Sequence, residues 1–214
     1  MKHLSFPSLI KAAALSLGLA LMVAPAAEAA AYHVAGGSPA GTFRIDPDHS
    51  LAWFTVGHAG VSQVVGRFDR MSGTYTVNPA DAAKDHASIH IQVASLDTNL
   101  AARDHDLQGP DFFNAREFPE IVFTSTRYHP TGAKTGLLYG KLTLRGETRE
   151  VMFHVREIGA GPVMALPKPW GGYLSGYVGY TTIRRSQFGM DAFAGMIGDV
   201  VHLHVNIEGV RTSN

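Results

Sequence analysis

The sequence predicts an all-β protein, an eight-stranded antiparallel barrel with one short helix and a hydrophobic interior. Eight stretches alternate apolar and polar residues between Gly, Pro, Asn or Asp, which is typical of an antiparallel sandwich or barrel. Most of these stretches have one apolar and one polar face, which suits a closed barrel. They also carry many small residues, and these favour a hollow interior that holds one small ligand over a filled one.

The N-terminal residues predict export. Two lysines accompany an apolar run over residues 12–23, which is followed by a proline and the small residues APAAEAAA, the order found in a secretory signal peptide. A transmembrane anchor is the alternative, but the run has about 12 residues and a bilayer needs about 20. We predict a signal peptide over 1–31, cleaved after Ala29 or Ala31, and a periplasmic mature protein.

Composition limits what the mature chain can do. About 185 residues remain, enough for one domain with a sizeable core. We predict a flexible leader over 32–41 and a barrel domain over 42–214. The absence of cysteine excludes disulfides, thiol catalysis and thiolate-bound metals. A formal net charge of +0 without a basic patch argues against nucleic acid or an anionic membrane surface as a charge-driven partner.

The predicted strands follow one another along the chain. They cover residues 49–56, 64–77, 88–96, 120–128, 136–144, 149–158, 172–183 and 200–210. A helical window lies at roughly 99–108, with Asp97, Thr98 and Asn99 as candidate capping residues. The Gly- and Pro-rich residues 159–172 are expected to form a long loop.

Residue parity separates the interior of the barrel from its exterior, because successive side chains of a strand point to opposite faces. In the last strand, Leu203 and Val205 share the apolar face, and His202 and His204 share the other. Together with two phenylalanines after the helix, the apolar faces predict this ligand-binding lining: Phe54, Val56, His58, Phe68, Ile89, Ile91, Val93, Phe112, Phe113, Phe123, Leu142, Leu144, Phe153, Val155, Tyr177, Ile183, Leu203 and Val205.

The segment RDHDLQGPDFF contains the charged residues that most resemble a catalytic or metal site. Neighbouring helical side chains point about 100° apart, so Asp-His-Asp in sequence cannot converge on one ion. Leu100 and Leu107 mark a buried helical stripe that also includes Arg103 and Asp104. We predict that these two charges form a structural polar clamp in a helical plug at one end of the barrel. A contact with the head of a bound ligand is the alternative.

Three polar residues fall on the predicted interior face. His58 shares the parity of the apolar residues before it, and it is either a buried neutral histidine with a hydrogen-bond partner or a ligand contact. Thr181 and Arg185 continue the inward row of their strand. These residues leave room for a ligand with a polar head.

No motif combines the chemistry of an enzyme or a metal site. His202 and His204 have a spacing that metalloenzymes use, but they lie opposite the apolar row and are expected to face solvent. The chain has no G-x-S-x-G elbow and no phosphate-binding glycine loop. We therefore predict no catalytic residues, no metal and no cofactor.

Several longer motifs carry a family resemblance. They are FTVGHAGVSQVVGRF (54–68), SLDTNLAARDHDLQGPDFFNAREFPEIVFTST (95–126), IRRSQFG (183–189) and IGDVVHLHVNIEG (197–209). Together they resemble the YceI family of periplasmic lipocalin-like proteins over essentially the whole mature chain. The resemblance implies an eight-stranded lipocalin-like barrel, and it implies no catalytic residues.

The resemblance also implies a long hydrophobic or amphipathic ligand: a polyisoprenoid, an isoprenoid quinone or a fatty-acid-like molecule. We expect a non-catalytic binding or carrier protein, monomeric or homodimeric, in transient contact with the membrane or a membrane redox protein. Two alternatives stay open at this point. One is a filled barrel that acts as an interaction or stress protein, and the other is a secreted hydrolase-type enzyme.

Overall fold

The structure of the protein is a computed structural model that describes residues 36–163, 167–169 and 171–213. The predicted signal peptide over 1–31 lies outside the described residues. The strands are β1 Gly41–Ile45, β2 Leu51–His58, β3 Ser62–Phe68, β4 Met71–Val77, β5 His86–Gln92, β6 Leu96–Asp97, β7 Glu120–Pro130, β8 Thr135–Leu144, β9 Glu147–Val163, β10 Gly172–Arg184 and β11 Ile197–Ser213. Helix α1 covers Ala101–Gln108, and 3₁₀ turns cover Ala82–Lys84, Val93–Ser95 and Arg185–Phe188. In this part of the chain, no helix has the length and apolar character needed to cross a membrane.

The strands close into an antiparallel barrel in the order β1-β4-β5-β7-β8-β9-β10-β11, and β11 pairs back with β1. β11 pairs first with β2 and then, beyond Asn206, with β1, so β1 and β2 are two halves of one bent strand. β3 and β4 form a second bent strand beside them, and β6 and β5 form a third. The described strands therefore fill eight positions around the ring. The predicted eight-stranded lipocalin-like barrel is confirmed.

The predicted loop over 159–172 is partly wrong. β9 continues to Val163 and pairs with β10 as far as Gly172. Glycine-rich sequence weakens the alternation that identifies a strand, but the ladder is made by main-chain groups and does not require side chains there. Residues 159–163 of the expected loop, and Gly172 at its end, therefore belong to the barrel wall.

The described residues of the predicted flexible leader are held against the barrel. Gly36 forms a β-bridge with Ala160 of β9, and Ser38 is buried. The segment then enters β1 at Gly41. Ser38 gives the physical reason, because both its amide and its hydroxyl donate hydrogen bonds to a carboxylate inside the barrel.

The barrel has two ends, which we call the helix end and the leader end. At the helix end lie α1, the turn between β2 and β3, and the 3₁₀ turn that follows β10. Phe113, after α1, packs there against Phe68 with ring centroids 5.5 Å apart and against Phe54 at 6.4 Å. At the leader end, residues 36–38 lie beside the last part of β9 and the first part of β10.

Candidate ligand cavity

A cavity of about 1050 Å³ runs through the barrel interior from the helix end to the leader end. Aromatic and aliphatic side chains from the barrel strands form most of its wall. Sites for small ligands usually measure about 300–1,000 Å³. This cavity therefore has room for a ligand at the upper end of that range, and its wall suits a hydrophobic one.

The structure brings most of the predicted lining residues together around this cavity. Those that line it are Phe54, Val56, His58, Phe68, Ile89, Ile91, Phe112, Phe113, Phe123, Leu142, Leu144, Phe153, Val155, Tyr177, Ile183, Leu203 and Val205. Shared strand parity brings the strand residues together, and Phe112 and Phe113 reach the cavity from the segment after α1. That they bind a ligand stays a prediction.

Two of the predicted lining residues need correction. Val93 is buried in the core and does not line the cavity, because it begins a 3₁₀ turn in which the two-residue period of a strand no longer holds. His58 lines the cavity but is exposed, since it is the last residue of β2 and stands at the rim of the helix end. It is therefore not the buried histidine that was one of its two interpretations.

A polar cluster at the leader end was missed by the sequence analysis. Glu157, which is only 7% exposed, lines the cavity there together with Ser38 and Tyr177. A signal was present, because Glu157 has the same parity as the inward-facing Phe153 and Val155. Parity alone would have placed a carboxylate inside the barrel.

The hydrogen bonds of this cluster converge on one oxygen of Glu157. The Ser38 amide donates to Oε1 at 2.6 Å, and the Ser38 hydroxyl donates to the same atom at 2.7 Å. The Tyr177 hydroxyl donates to Ser38 Oγ at 3.0 Å, and Ser175 Oγ lies 2.5 Å from Ser38 Oγ. The Tyr75 hydroxyl donates to the Ser175 carbonyl at 2.9 Å. Leader, β9 and β10 are thus joined at the end of the cavity.

Burial keeps the phenols of this cluster protonated. It raises the pKa of Tyr177 to about 12, and it raises the pKa of Tyr75 further above the usual range. At neutral pH both groups are therefore hydrogen-bond donors. Neither phenol is available as a base at that pH.

Arg103 and Asp104, the two charged residues of α1 predicted to form the polar clamp, both form hydrogen bonds with Thr98. Arg103 donates from Nε to Thr98 Oγ1 at 2.7 Å and from Nη2 to the Thr98 carbonyl at 2.6 Å. Asp104 accepts at Oδ1 from the Thr98 amide at 2.8 Å and from its hydroxyl at 2.5 Å. Arg103 and Asp104 thus share a buried threonine between them and make no direct ion pair.

The expected helical stripe is only partly correct. Leu100, expected to pack on the strands, is 52% exposed and stands at the N-cap of α1 without a side-chain capping bond. Arg103 and Asp104 are half-buried, and Leu107 packs against the core. None of the three expected capping residues is the N-cap, and the helix begins two residues later than its expected start, while Asp104 reaches back to the amide of Thr98.

Arg185 is buried at the helix end and lines the cavity, as its inward parity indicates. Its guanidinium donates to three main-chain carbonyls: from Nε to Gly198 at 3.0 Å, from Nη1 to Met190 at 2.6 Å and from Nη2 to Ile197 at 3.1 Å. These bonds hold the segment between β10 and β11 in place. The hydroxyl of the inward-facing Thr181 also has a hydrogen-bond partner, since it donates to the Met152 carbonyl at 2.8 Å.

The histidines of β11 alternate with the inward-facing Leu203 and Val205, although His204 is half-buried and borders the cavity. His202 is exposed and its Nδ1 lies 3.1 Å from the Thr182 hydroxyl, and His204 stacks on Trp53 with ring centroids 5.0 Å apart. A group that could offer three metal-ligand atoms does occur elsewhere, at Asp46, His49 and Glu208, where these atoms lie within 4.8 Å of one another.

This second group holds the bend between β1 and β2. Asp46 accepts from the Asp48 amide at 3.0 Å, and its other oxygen lies 3.0 Å from His49 Nδ1. That hydrogen bond is the main reason why the pKa of His49 is raised, and Glu208 adds to the effect. The group lies outside the cavity lining, so it does not bear on ligand binding.

Replacing both histidines of β11 is expected to leave ligand binding unchanged. His202→Ala should change stability by no more than about 0.5 kcal/mol, as surface changes usually do. His204→Ala should cost about 1 kcal/mol, because it removes an aromatic stack. Thermal melting, probe binding and metal analysis of the double variant check this. If the parent protein contains stoichiometric zinc or copper and the double variant has lost it, the prediction that these histidines bind no metal is wrong.

Comparisons with other proteins agree with this architecture. A UPF0312 protein of Shewanella sp. (strain W3-18-1) is 32% identical over 195 residues, which cover 91% of this chain and 95% of the relative. A UPF0312 protein of Pseudomonas aeruginosa (strain LESB58) is 34% identical over 201 residues, which cover 93% of this chain and 96% of the relative. Sequence relatives thus span nearly the whole chain.

Solved structures share the fold. BcnA of Burkholderia cenocepacia matches with a TM-score of 0.68 at 23% identity, covering 77% of this chain and 98% of BcnA. A YceI protein of Campylobacter jejuni matches with a TM-score of 0.61 at 26% identity, covering 72% of this chain and 86% of that one. A polyisoprenoid binding domain from Saccharophagus degradans matches with a TM-score of 0.59 at 13% identity, covering 81% of this chain and 99% of the domain. Residues 43–209 match the YceI-like domain, and the chain therefore belongs to the YceI family.

Proposed function

We propose that the protein is a non-catalytic carrier of one long hydrophobic ligand, which it encloses in the barrel. The observation that carries this proposal is the cavity of about 1050 Å³ with its apolar wall. Each buried CH₂ group contributes about 0.8 kcal/mol, so the cavity replaces the membrane as an environment for a molecule that water excludes. Affinity should stay well below the sum of these contributions, because large ligands gain only about 0.3 kcal/mol per heavy atom.

The ligand class belongs to the same proposal. We propose a polyisoprenoid, an isoprenoid quinone or a fatty-acid-like chain. The domain from Saccharophagus degradans, which shares the fold, is described as polyisoprenoid binding, and this supports the first of these. Membership of the YceI family and the fold shared with a polyisoprenoid binding domain favour a binding protein over an enzyme.

We further propose a periplasmic location and transient contact with the membrane at the helix end. The apolar run and small residues of the N-terminal segment support export. Phe193 and Met196 line the cavity at that end while being 61% and 54% exposed, and Phe193 stacks on Phe112. Val61 is exposed in the adjoining turn between β2 and β3. Such an apolar rim fits the passage of a lipid between bilayer and cavity.

A single preparation tests location and cargo. The full chain is expressed in a Gram-negative host, and the protein released by osmotic shock is analysed by native mass spectrometry and then extracted with organic solvent. We expect a chain that begins after Ala29 or Ala31 and a stoichiometric hydrophobic molecule in the extract. A periplasmic protein of the bare polypeptide mass that also fails to take up an added hydrophobic probe would disprove the carrier function.

A further inference from the structure

We propose that Glu157 makes the cavity selective for a ligand whose head donates a hydrogen bond, such as the hydroxyl group of a long-chain alcohol. This inference rests on the proposed carrier function. It adds the chemistry of the head group and its place at the leader end, with the hydrocarbon chain running toward the helix end.

The two oxygens of Glu157 have different surroundings. Oε1 accepts both the amide and the hydroxyl of Ser38. Among the residues that the structure describes, no hydrogen-bond donor contacts Oε2. Glu157 is only 7% exposed, and it lines the cavity. Oε2 is not one of the fully buried polar atoms without a partner, so it keeps some accessible surface and can accept from a ligand in the cavity. A hydroxyl group on the ligand would supply the missing donor.

The hydroxyl groups of the polar cluster around Ser38 donate elsewhere. The hydroxyl of Tyr177 donates to Ser38 and the hydroxyl of Tyr75 donates to the Ser175 carbonyl. Ser38 in turn uses both of its donors on Oε1. The cluster is therefore arranged as a set of donors that fixes one oxygen of Glu157 and leaves the other facing the cavity.

The same arrangement disfavours an anionic head at the leader end. A carboxylate or phosphate placed against Glu157 would put two like charges together in an apolar enclosure, where their repulsion is weakly screened. The cations that line the cavity are Lys134, whose carbonyl accepts from the Glu157 amide, and Arg103 and Arg185 at the helix end. The Arg185 guanidinium already donates to three main-chain carbonyls, so most of its five N–H donors are engaged in holding the chain.

Three probes that share one C20 prenyl chain test the inference. Geranylgeraniol, its methyl ether and geranylgeranoic acid compete for the purified protein with a fluorescent hydrophobic probe. For the parent protein we expect the alcohol to bind about tenfold more tightly than the ether, since a hydrogen bond to a charged group is gained. The acid should bind most weakly.

Glu157→Gln should remove this selectivity. Its amide oxygen can still accept from Ser38, while its amide nitrogen turns the cavity-facing acceptor into a donor, so the ether should bind at least as well as the alcohol. Glu150→Gln is the matched control, because Glu150 lies exposed on the same strand and faces away from the cavity. This control should keep the order of the parent protein.

The outcomes separate the two proposals. If the parent protein binds none of the probes, the carrier function itself fails. If it binds all three equally, if the acid binds best, or if Glu157→Gln keeps the parent order, the carrier function stands and the selectivity of Glu157 is overturned. If Glu157→Gln does not fold, the order of the three probe affinities measured on the parent protein still tests the selectivity.

Discussion

Phe153→Asp is expected to abolish binding of a hydrophobic probe. Phe153 is buried on the inner face of β9, lines the cavity, and packs edge-to-face on Phe123 with ring centroids 5.3 Å apart. The substitution removes a large apolar surface and places an unpaired charge in an apolar cavity, which costs several kcal/mol. A fluorescence titration with a hydrophobic probe measures the loss.

The control for this variant is His202→Asp, which introduces the same side chain on the exposed outer face of β11. It should bind the probe as the parent protein does. Because Phe153→Asp can also unfold the barrel, Val155→Thr provides a milder change of similar shape, and its unpartnered hydroxyl should weaken binding about tenfold. Equal losses in the inner and outer variants would mean that the assignment of the inner face is wrong.

Strand parity predicted the interior of the barrel well where a strand is regular. The two-residue period of a β-strand is a local property, so the inner face of β11 could be assigned from Leu203 and Val205 without knowledge of their partners. Parity failed at Val93, where a 3₁₀ turn ends the strand. Parity also places Glu157 inside the barrel, but a lining predicted from apolar residues alone does not include a charged residue.

The small residues of the strands do not all leave empty space inside the barrel. Gly140 leaves no empty space, because the ring of Phe123 from the neighbouring strand lies where a side chain would begin. Gly66 likewise makes room for the ring of Phe54. Because the ring comes from a neighbouring strand, the sequence around a glycine does not predict which side chain packs against it.

The position of α1 also depended on tertiary contacts. Spacing alone grouped Leu100 with Leu107, but the chain reaches the helix directly from β6, which is paired with β3, and this leaves Leu100 outside. A helix of eight residues has too few turns for its stripe to define a buried face firmly. The hydrogen bonds of Arg103 and Asp104 to Thr98 could not be predicted from the sequence, because they depend on where the folded chain places Thr98.

Arg103→Ala is expected to lower the melting temperature by roughly 4–8 °C. Two hydrogen bonds from the guanidinium to Thr98 are lost, and the Thr98 carbonyl loses its side-chain donor at a buried position. Bonds to charged groups contribute about 1.5–3 kcal/mol each. Because Arg103 is half-exposed, water compensates in part, and we expect a loss of about 2 kcal/mol, which corresponds to this shift for a chain of this size.

The exposed neighbours of Arg103 on α1 distinguish a structural role from a ligand contact. His105→Ala and Asp106→Ala should melt within about 1–2 °C of the parent protein, since surface changes cost little. Arg103 also lines the cavity, so a role in holding the ligand head predicts the opposite result: unchanged melting of the ligand-free protein and weaker probe binding. Thermal melting after organic extraction, followed by probe titration, separates the two. If ligand-free Arg103→Ala melts like the parent, the clamp on Thr98 does not stabilise the barrel, and Arg103 belongs to the binding site.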